Sequence, residues 1–113
     1  MALHYSRILD HFFMAHQFSD KLTFHIMWSV YILQCRDQTL YTGITNNLSK
    51  RLKMHESGQA AKYTKGRGPF VLVYKESLEN RSISTKRESE IKKLTKEDKK
   101  KLIERYRNGL RNT

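Results

Sequence analysis

Residues 30–55 read V-Y-I-L-Q-C-R-D-Q-T-L-Y-T-G-I-T-N-N-L-S-K-R-L-K-M-H, and this stretch decides the fold. It spans most of two apolar, β-prone runs, Ser29–Cys35 and Leu40–Thr45, with four polar residues between them. Parallel strands need a long crossover connection, so two runs this close together predict an antiparallel hairpin. Glycine weakens a strand, so we expect Gly43, inside the second run, to serve a close backbone approach or a bend.

A short basic helix is predicted directly after the hairpin. Asn46 or Asn47 can cap its first turn, and Gly58 is placed to end it. Arg51 and His55 stand four residues apart, which makes them neighbours on one face of a helix. We expect both side chains near the buried edge of this helix.

Three further elements are predicted downstream of a basic loop over residues 60–69. The continuous apolar run Phe70–Lys75 predicts a strand, and the most buried segment of the chain. Residues 77–82 read as a loop, and a helix is predicted from about residue 82 to 94. Thr95 is expected to cap a last helix. This order predicts an α/β fold in which a small three-stranded antiparallel sheet is flanked by helices.

Charge divides the chain into two unequal parts. The 113 residues carry 22 Lys and Arg against 11 Asp and Glu, a formal net charge of +11. Residues 1–26 hold two basic and two acidic groups, so residues 27–113 carry the whole excess. We therefore predict an N-terminal extension over 1–26, containing a short amphipathic helix, and one main domain over 27–113.

A positive field of this size is typical of a protein with a polyanionic partner. Nucleic acid is the commonest, because each neutralised phosphate releases counterions. The alternative is a protein whose lysines are merely solvated. No apolar run approaches the ~20 residues that span a bilayer, and no signal-peptide pattern is present. Because Cys35 is the single cysteine, no internal disulfide can form, and we expect a cytoplasmic protein without a membrane partner.

The basic loop mixes positive charge with an aromatic ring. Lys62, Lys65 and Arg67 interleave with Tyr63. That combination suits contacts to phosphates together with a surface for a base or sugar. An ordinary solvated loop can have the same composition, so both interpretations stay open on these residues alone.

A sparse set of polar residues remains as candidates for chemistry, because the Walker, GxSxG, HExxH and paired-cysteine motifs are absent. The set is Tyr31, Tyr41, Arg51, His55 and Glu88. Taken singly, each has an ordinary explanation such as strand packing, solvation or a surface ion pair.

Together these residues supply what phosphodiester hydrolysis needs: a positioner or base for water, a cation for phosphoryl charge and a metal-binding carboxylate. A tyrosine, with a reference pKa of about 10, is a poor base unless a cation or metal-bound water assists it. Arg51 offers a bidentate fork for phosphate. Glu88 offers one hard oxygen ligand, which suffices for Mg²⁺ because that ion keeps several waters.

At these positions the sequence resembles the GIY-YIG nuclease superfamily, specifically its small, stand-alone bacterial members. The first family tripeptide appears as Ser29-Val30-Tyr31 and the second as Tyr41-Thr42-Gly43. Further matches are Thr45-Asn46-Asn47-Leu48, Arg51, His55, A-K-Y-T-K-G-R-G-P-F at 61–70, L-V-Y at 72–74 and R-E-S-E-I-K-K-L at 87–94. The likeness covers about residues 28–103, and independent motifs agree in order and in predicted element.

The resemblance implies a divalent-metal-dependent endonuclease that hydrolyses DNA phosphodiester bonds. On this comparison Tyr41 would activate or position the attacking water, and Tyr31 would support it and orient the phosphate. Arg51 would stabilise the phosphoryl charge, and His55 stands where the family has a His or Tyr near the nucleophile. Glu88 would bind Mg²⁺ or Mn²⁺.

Three departures accompany the resemblance, although Gly43 matches and would leave room for the DNA backbone. Ser29 replaces the first family glycine. Ile44 stands where DNA-repair nucleases of the superfamily carry a Lys. No second recognition domain is attached, which leaves a protein partner as one source of specificity.

Three classes of function follow from the sequence. The first is a metal-dependent DNA endonuclease acting on branched or damaged DNA, with RNA as an alternative substrate. The second is a nucleic-acid-binding module of the same fold that cleaves weakly or not at all. The third is an interaction protein whose N-terminal segment docks a partner.

Overall fold

A computed structural model describes residues 27–111, so the expectations for the N-terminal extension lie outside the described residues. The elements follow the predicted order of strand, strand, helix, strand, helix, helix. They are β1 (Trp28–Gln34), β2 (Leu40–Thr45), α1 (Leu48–Glu56), β3 (Val71–Leu78), α2 (Arg81–Lys92) and α3 (Lys96–Arg111).

The three strands form one antiparallel sheet, as the sequence predicted, and their order in it is β2-β1-β3. Tyr31 of β1 lies opposite Gly43 of β2, and Leu33 lies opposite Tyr41. As the central strand, β1 is covered along both edges and on both faces. Its residues 30–33 are consequently fully buried.

Two expectations about the third strand were wrong. Its apolar run was predicted to be the most buried segment, yet Val71 is 58% exposed, because β3 is an edge strand with solvent on its outer side. Residues 77–82 were predicted as a loop, but β3 continues to Leu78, where it pairs with Trp28. Pairing with the central strand β1 therefore extends β3 beyond its apolar run, and α2 begins shortly afterwards at Arg81.

Short polar side chains begin each of the three helices. Asn47 accepts a hydrogen bond from the Lys50 amide (3.1 Å), which confirms one of the two caps predicted for α1. Asn80 caps α2 through the Ile83 amide at 2.9 Å. Thr95 caps α3, as predicted, through an amide three residues further on. These side chains satisfy backbone donors that a helix leaves unpaired.

The two faces of β1 lead to different surroundings. Val30 and Ile32 point into an apolar core, where they pack with Ile91 of α2 and Ile103 of α3. Tyr31 lies on the opposite face, because successive side chains alternate across a strand. That face meets α1 and the loop after it through side chains, and it carries the candidate site.

Candidate active site

A chain of hydrogen bonds connects the central strand, α1 and the basic loop. The Tyr31 hydroxyl lies 2.7 Å from Nε2 of His55, and Nδ1 of the same ring lies 2.9 Å from the Thr64 hydroxyl. Thr64 in turn donates to the backbone carbonyl of Ala61 at 3.1 Å. Tyr31, His55 and Thr64 are all fully or almost fully buried. We call this series the Tyr31 relay.

The direction of the Tyr31 relay follows from the number of protons available. Thr64 has one hydroxyl proton and gives it to Ala61, so its oxygen accepts from Nδ1–H of His55. A neutral imidazole then has its lone pair on Nε2, which accepts the proton of the Tyr31 hydroxyl. The network therefore assigns the Nδ1–H tautomer to His55.

The pKa values agree with this assignment. Burial lowers the pKa of His55, and the nearby positive charge of Arg51 lowers it further, so the ring is neutral at pH 7. Burial also raises the pKa of Tyr31 to about 12, although Arg51 opposes the rise. Tyr31 is therefore a neutral phenol and a hydrogen-bond donor.

Gly43 makes room for Tyr31. A Cβ atom at this position would lie 2.7 Å from the Tyr31 hydroxyl oxygen and 3.0 Å from the ring of Tyr41. Any other residue at this position would push the two rings apart. The close approach expected at Gly43 is present, and the group that approaches its backbone is the Tyr31 side chain.

Tyr41 is the more accessible of the two strand tyrosines. It is half-buried, whereas Tyr31 is inaccessible. Its ring stands edge-on to His55, with centroids 5.2 Å apart, and is tilted against Tyr31 at 6.3 Å. Of the two hydroxyl-bearing rings on this face, Tyr41 is therefore the one available to a bound substrate.

Arg51 brings a fixed positive charge to the two tyrosines. Its interaction with the Tyr31 hydroxyl is the main cause that raises the pKa of the guanidinium, and Tyr41 contributes as well. Its Nη2 atom donates to the backbone carbonyl of Ala60 at 3.1 Å. Its Nε atom is buried and has no hydrogen-bond partner among the described residues. A buried donor without a partner is costly, and here it leaves capacity for an oxyanion.

The basic loop covers this cluster with a stacked pair of rings. Tyr63 lies nearly parallel to Tyr41, with centroids 6.0 Å apart, and its ring is 44% exposed. The Arg67 guanidinium lies 4.5 Å from the centre of the Tyr63 ring and also pairs with Asp37 in the hairpin turn. Arg67 is thus largely engaged within the protein, while Tyr63 remains 44% exposed.

The remaining basic residues of the loop, Lys62 and Lys65, are exposed, and neither makes an ion pair within residues 27–111. They are free to contact a ligand bound over Tyr63. The four loop residues predicted to contact nucleic acid therefore divide into two exposed lysines without an ion pair among the described residues, one partly exposed ring and one guanidinium paired with Asp37.

Glu88 lies on α2, next to a residue that fixes this helix to the sheet. Arg87 donates to Glu76 of β3 at 2.9 Å. Glu88 is close enough to Tyr31 to raise the pKa of its hydroxyl, and its side chain is 20% exposed. One of its carboxylate oxygens is 3.4 Å from the Lys92 ammonium.

This donor set fits one kind of metal site only. Within residues 27–111 there is no group of three or more His, Cys, Asp or Glu side chains that would enclose an ion. A single half-buried carboxylate suits Mg²⁺ or Mn²⁺, which complete their coordination with waters and substrate oxygens. It does not suit a structural zinc site.

Thr64 is a residue of this cluster that the sequence did not reveal. It lies in a loop of lysines and glycines, where threonine is ordinarily exposed, and no local pattern signals its complete burial. Only its position within the run A-K-Y-T-K-G-R-G-P-F marked it.

Comparisons with known proteins match a family model, several relatives and a solved structure. Residues 27–102 match the family model described as the GIY-YIG catalytic domain. A UPF0213 protein of Oceanobacillus iheyensis is 57% identical over 75 residues, which covers 66% of this chain and 87% of that protein. A UPF0213 protein of Clostridium perfringens is 58% identical over 74 residues, covering 66% and 80%. The solution NMR structure of a protein from E. faecalis superposes with a TM-score of 0.51 at 35% identity, covering 72% of this chain and 86% of that one.

Proposed function

This chain belongs to the GIY-YIG catalytic-domain family, and from that premise we propose that it is a divalent-metal-dependent endonuclease that hydrolyses DNA phosphodiester bonds. The observation that carries the proposal is the convergence of Tyr31, Tyr41, Arg51 and His55 from β1, β2 and α1. A packing cluster has no need for a guanidinium with a buried, unpartnered donor beside two phenols.

Tyr41 is the residue proposed to position the attacking water. Its side chain is half-buried, and its ring contacts both His55 and Tyr63. Attack forms a bond between the water oxygen and phosphorus and breaks the bond from phosphorus to the leaving oxygen. The positive charge of Arg51 favours the negative charge that develops on the phosphoryl group.

The Tyr31 relay is proposed to keep this geometry fixed. Tyr31 remains protonated, so it can orient a ligand oxygen only by sharing its donor with His55. His55 is neutral and adds no positive charge that would compete with Arg51 for the phosphate. The relay therefore acts through position, and the charge comes from Arg51.

Glu88 is the residue proposed to hold the metal ion. When bound there, Mg²⁺ or Mn²⁺ would supply Lewis-acid polarisation of the phosphoryl group. Glu88 also pairs with Lys92 through one oxygen, so the ammonium competes with a metal ion for this carboxylate. Replacing Lys92 with Gln is expected to lower the metal concentration needed for half-maximal cleavage.

The test is cleavage of supercoiled plasmid and of a branched-DNA panel, with Mg²⁺, with Mn²⁺ and with chelator. Tyr41→Phe and Glu88→Ala should lose cleavage, while Tyr63→Phe, which alters an exposed hydroxyl on the neighbouring ring, should keep it. Cleavage that persists unchanged in chelator, or in both active-site variants, would refute the assignment.

A nucleic-acid-binding module with weak or no cleavage is the second candidate. It is favoured by Ile44, where related DNA-repair nucleases carry a Lys, and by the ion pair that already engages Glu88. In that case DNA binding would survive in chelator and in the Glu88→Ala variant, and no metal would produce nicks. RNA belongs in the same panel, because the described contacts do not select a sugar.

A further inference from the structure

A cleft of about 690 Å³ lies between the hairpin turn and α3, away from the candidate active site. Leu40, Val73 and Ile103 contribute its apolar lining. These residues belong to or pack against the apolar core, so the cleft opens on the face of the sheet opposite Tyr31. A volume of this size lies within the range of ligand sites.

The charge of the cleft comes almost entirely from one stripe of α3. The lining residues of this helix follow the helical repeat, and the basic ones among them are Lys96, Lys99, Lys100, Arg107 and Arg111. Within residues 27–111 none of these five makes an ion pair. Two acidic residues also line the cleft, and one of them, Asp37, is already paired with Arg67. The cleft thus presents a surplus of unpaired positive charge around an apolar floor.

We propose that this cleft is a second nucleic-acid site, which holds the phosphate backbone of a segment other than the one at Tyr41. Segment 1–26 of the chain is a weaker fit, because its two basic and two acidic groups give it no net charge. A phosphodiester backbone matches the surplus charge, and each neutralised phosphate adds counterion release.

The two sites are joined through the hairpin turn. Asp37, on the cleft side, pairs with Arg67 of the basic loop, whose guanidinium lies over the Tyr63 ring, so the turn connects the cleft to the loop at the candidate active site. The sites nevertheless open on opposite faces of the sheet. A straight nucleic-acid segment bound at one site is directed away from the other site. Occupation of both sites therefore requires a branched or sharply bent nucleic acid.

The experiment compares two variants of the full chain that remove the same charge from the same helix. Lys100→Gln with Arg107→Gln neutralises two cleft residues. Lys101→Gln with Arg105→Gln neutralises two exposed residues of α3 that do not line the cleft. Binding of a three-arm DNA junction and of a linear duplex of matched length is measured by fluorescence anisotropy, in chelator, over a range of salt concentrations.

Wild type and the control pair should bind the junction more tightly than the duplex, and the cleft pair should lose that preference. For the junction, the slope of log K against log salt should become less negative by about 1.8 in the cleft pair, since each duplex phosphate contact contributes about −0.9. The control pair should change the slope less and equally for both DNAs. Thermal melting checks that both variants fold, which is expected because all four side chains are exposed.

Any of three results would overturn the proposal. Wild type could show no preference for the junction, the cleft pair could behave as the control pair does, or the cleft pair could weaken the duplex as much as the junction. A lower melting temperature without any loss of binding would instead indicate that residues 1–26 dock in the cleft. The inference rests on the proposed function for the segment at Tyr41, but it is measured without cleavage, so an inactive nuclease would leave this test standing.

Discussion

The two faces of β1 are buried in different ways, one by apolar packing and the other by specific hydrogen bonds. On one face, Val30 and Ile32 pack against aliphatic groups of α2 and α3, where only shape and apolar area matter. On the other, Tyr31 is equally buried, but its hydroxyl, His55 and Thr64 each need a specific partner. One strand therefore supports a general core and a specific polar network through alternate residues. Substitutions on the two faces should accordingly fail in different assays.

The largest expected effect is on the polar face and leaves stability almost untouched. Tyr41→Phe removes one hydroxyl from a half-buried side chain, and the hydrogen bond to Arg51 that is lost is the smallest of the contributions that raise the pKa of that guanidinium. Under the proposed function, cleavage should fall by about 10²–10⁴-fold, the usual contribution of a positioned acid–base group. Initial rates of plasmid nicking measure this, with urea unfolding as the companion assay. A large loss of stability would mean that Tyr41 is a packing residue.

Ile32→Ala should show the reverse pattern. It empties a fully buried site in the apolar core and should cost about 2–5 kcal/mol of unfolding free energy. The fraction that remains folded should keep its activity per molecule, because Ile32 faces away from the site. Equilibrium urea denaturation gives the first quantity and active-site-normalised rates give the second. A specific activity that falls as far as in Tyr41→Phe would couple the two faces.

Tyr31→Phe should lower both the cleavage rate and the free energy of unfolding, whereas Tyr41→Phe and Ile32→Ala should each lower mainly one of them. The ring volume is kept, but Nε2 of buried His55 loses its donor, at a cost of about 1–3 kcal/mol. The control is Tyr63→Phe, at an exposed hydroxyl, which should change stability very little. Equal stability of the two variants would mean that the hydrogen bond contributes nothing.

Lowering the pH should reduce the free energy of unfolding through His55, which lies on the polar side of β1. The pKa of His55 is lowered in the folded protein, so the unfolded chain takes up the proton first. The contribution of this residue is fully present above its unfolded pKa of about 6.5 and is lost as pH falls from there toward the folded pKa. Unfolding free energies across that window should fall more steeply in wild type than in His55→Gln. Parallel pH profiles would contradict the assignment of a neutral ring.

The smallest effect is expected from a polar atom on the apolar side. Ser84 stands seven residues before Ile91 on α2, is completely buried, and its hydroxyl has no hydrogen-bond partner among the described residues. Ser84→Ala should therefore leave stability unchanged or raise it slightly, since removing an unsatisfied polar group costs no bond. Chemical denaturation measures the difference. A clear loss of stability would reveal a partner for this hydroxyl.

Local patterns in the sequence were sufficient for most of the fold. The bounds of β2, the caps Asn47 and Thr95, and the order of elements all follow from alternation, capping chemistry and short connections. The burial of β3 was missed because an apolar run does not state which strand is central. That property depends on pairing, and pairing puts β1 between the other two.

The candidate site was only partly readable for a similar reason. Its strand and helix residues could be proposed because they form a sparse polar set and match motifs of the family that the sequence resembles. Thr64 could not be identified, because its role depends on a hydrogen bond with Nδ1 of His55, nine residues earlier. The stacking of Tyr63 on Tyr41 also joins a loop to a strand, and no local pattern fixes such a contact.

Both ring nitrogens of His55 are hydrogen-bonded, so this ring can also be used to detect local unfolding. One ring nitrogen is held by a strand and the other by a loop, while the ring itself belongs to a helix. The two nitrogen resonances of a selectively labelled imidazole should therefore remain those of a single frozen tautomer while all three segments are in contact. Averaging of the two signals would reveal the first separation of loop, helix or sheet, at a temperature where bulk spectroscopy still records a folded chain.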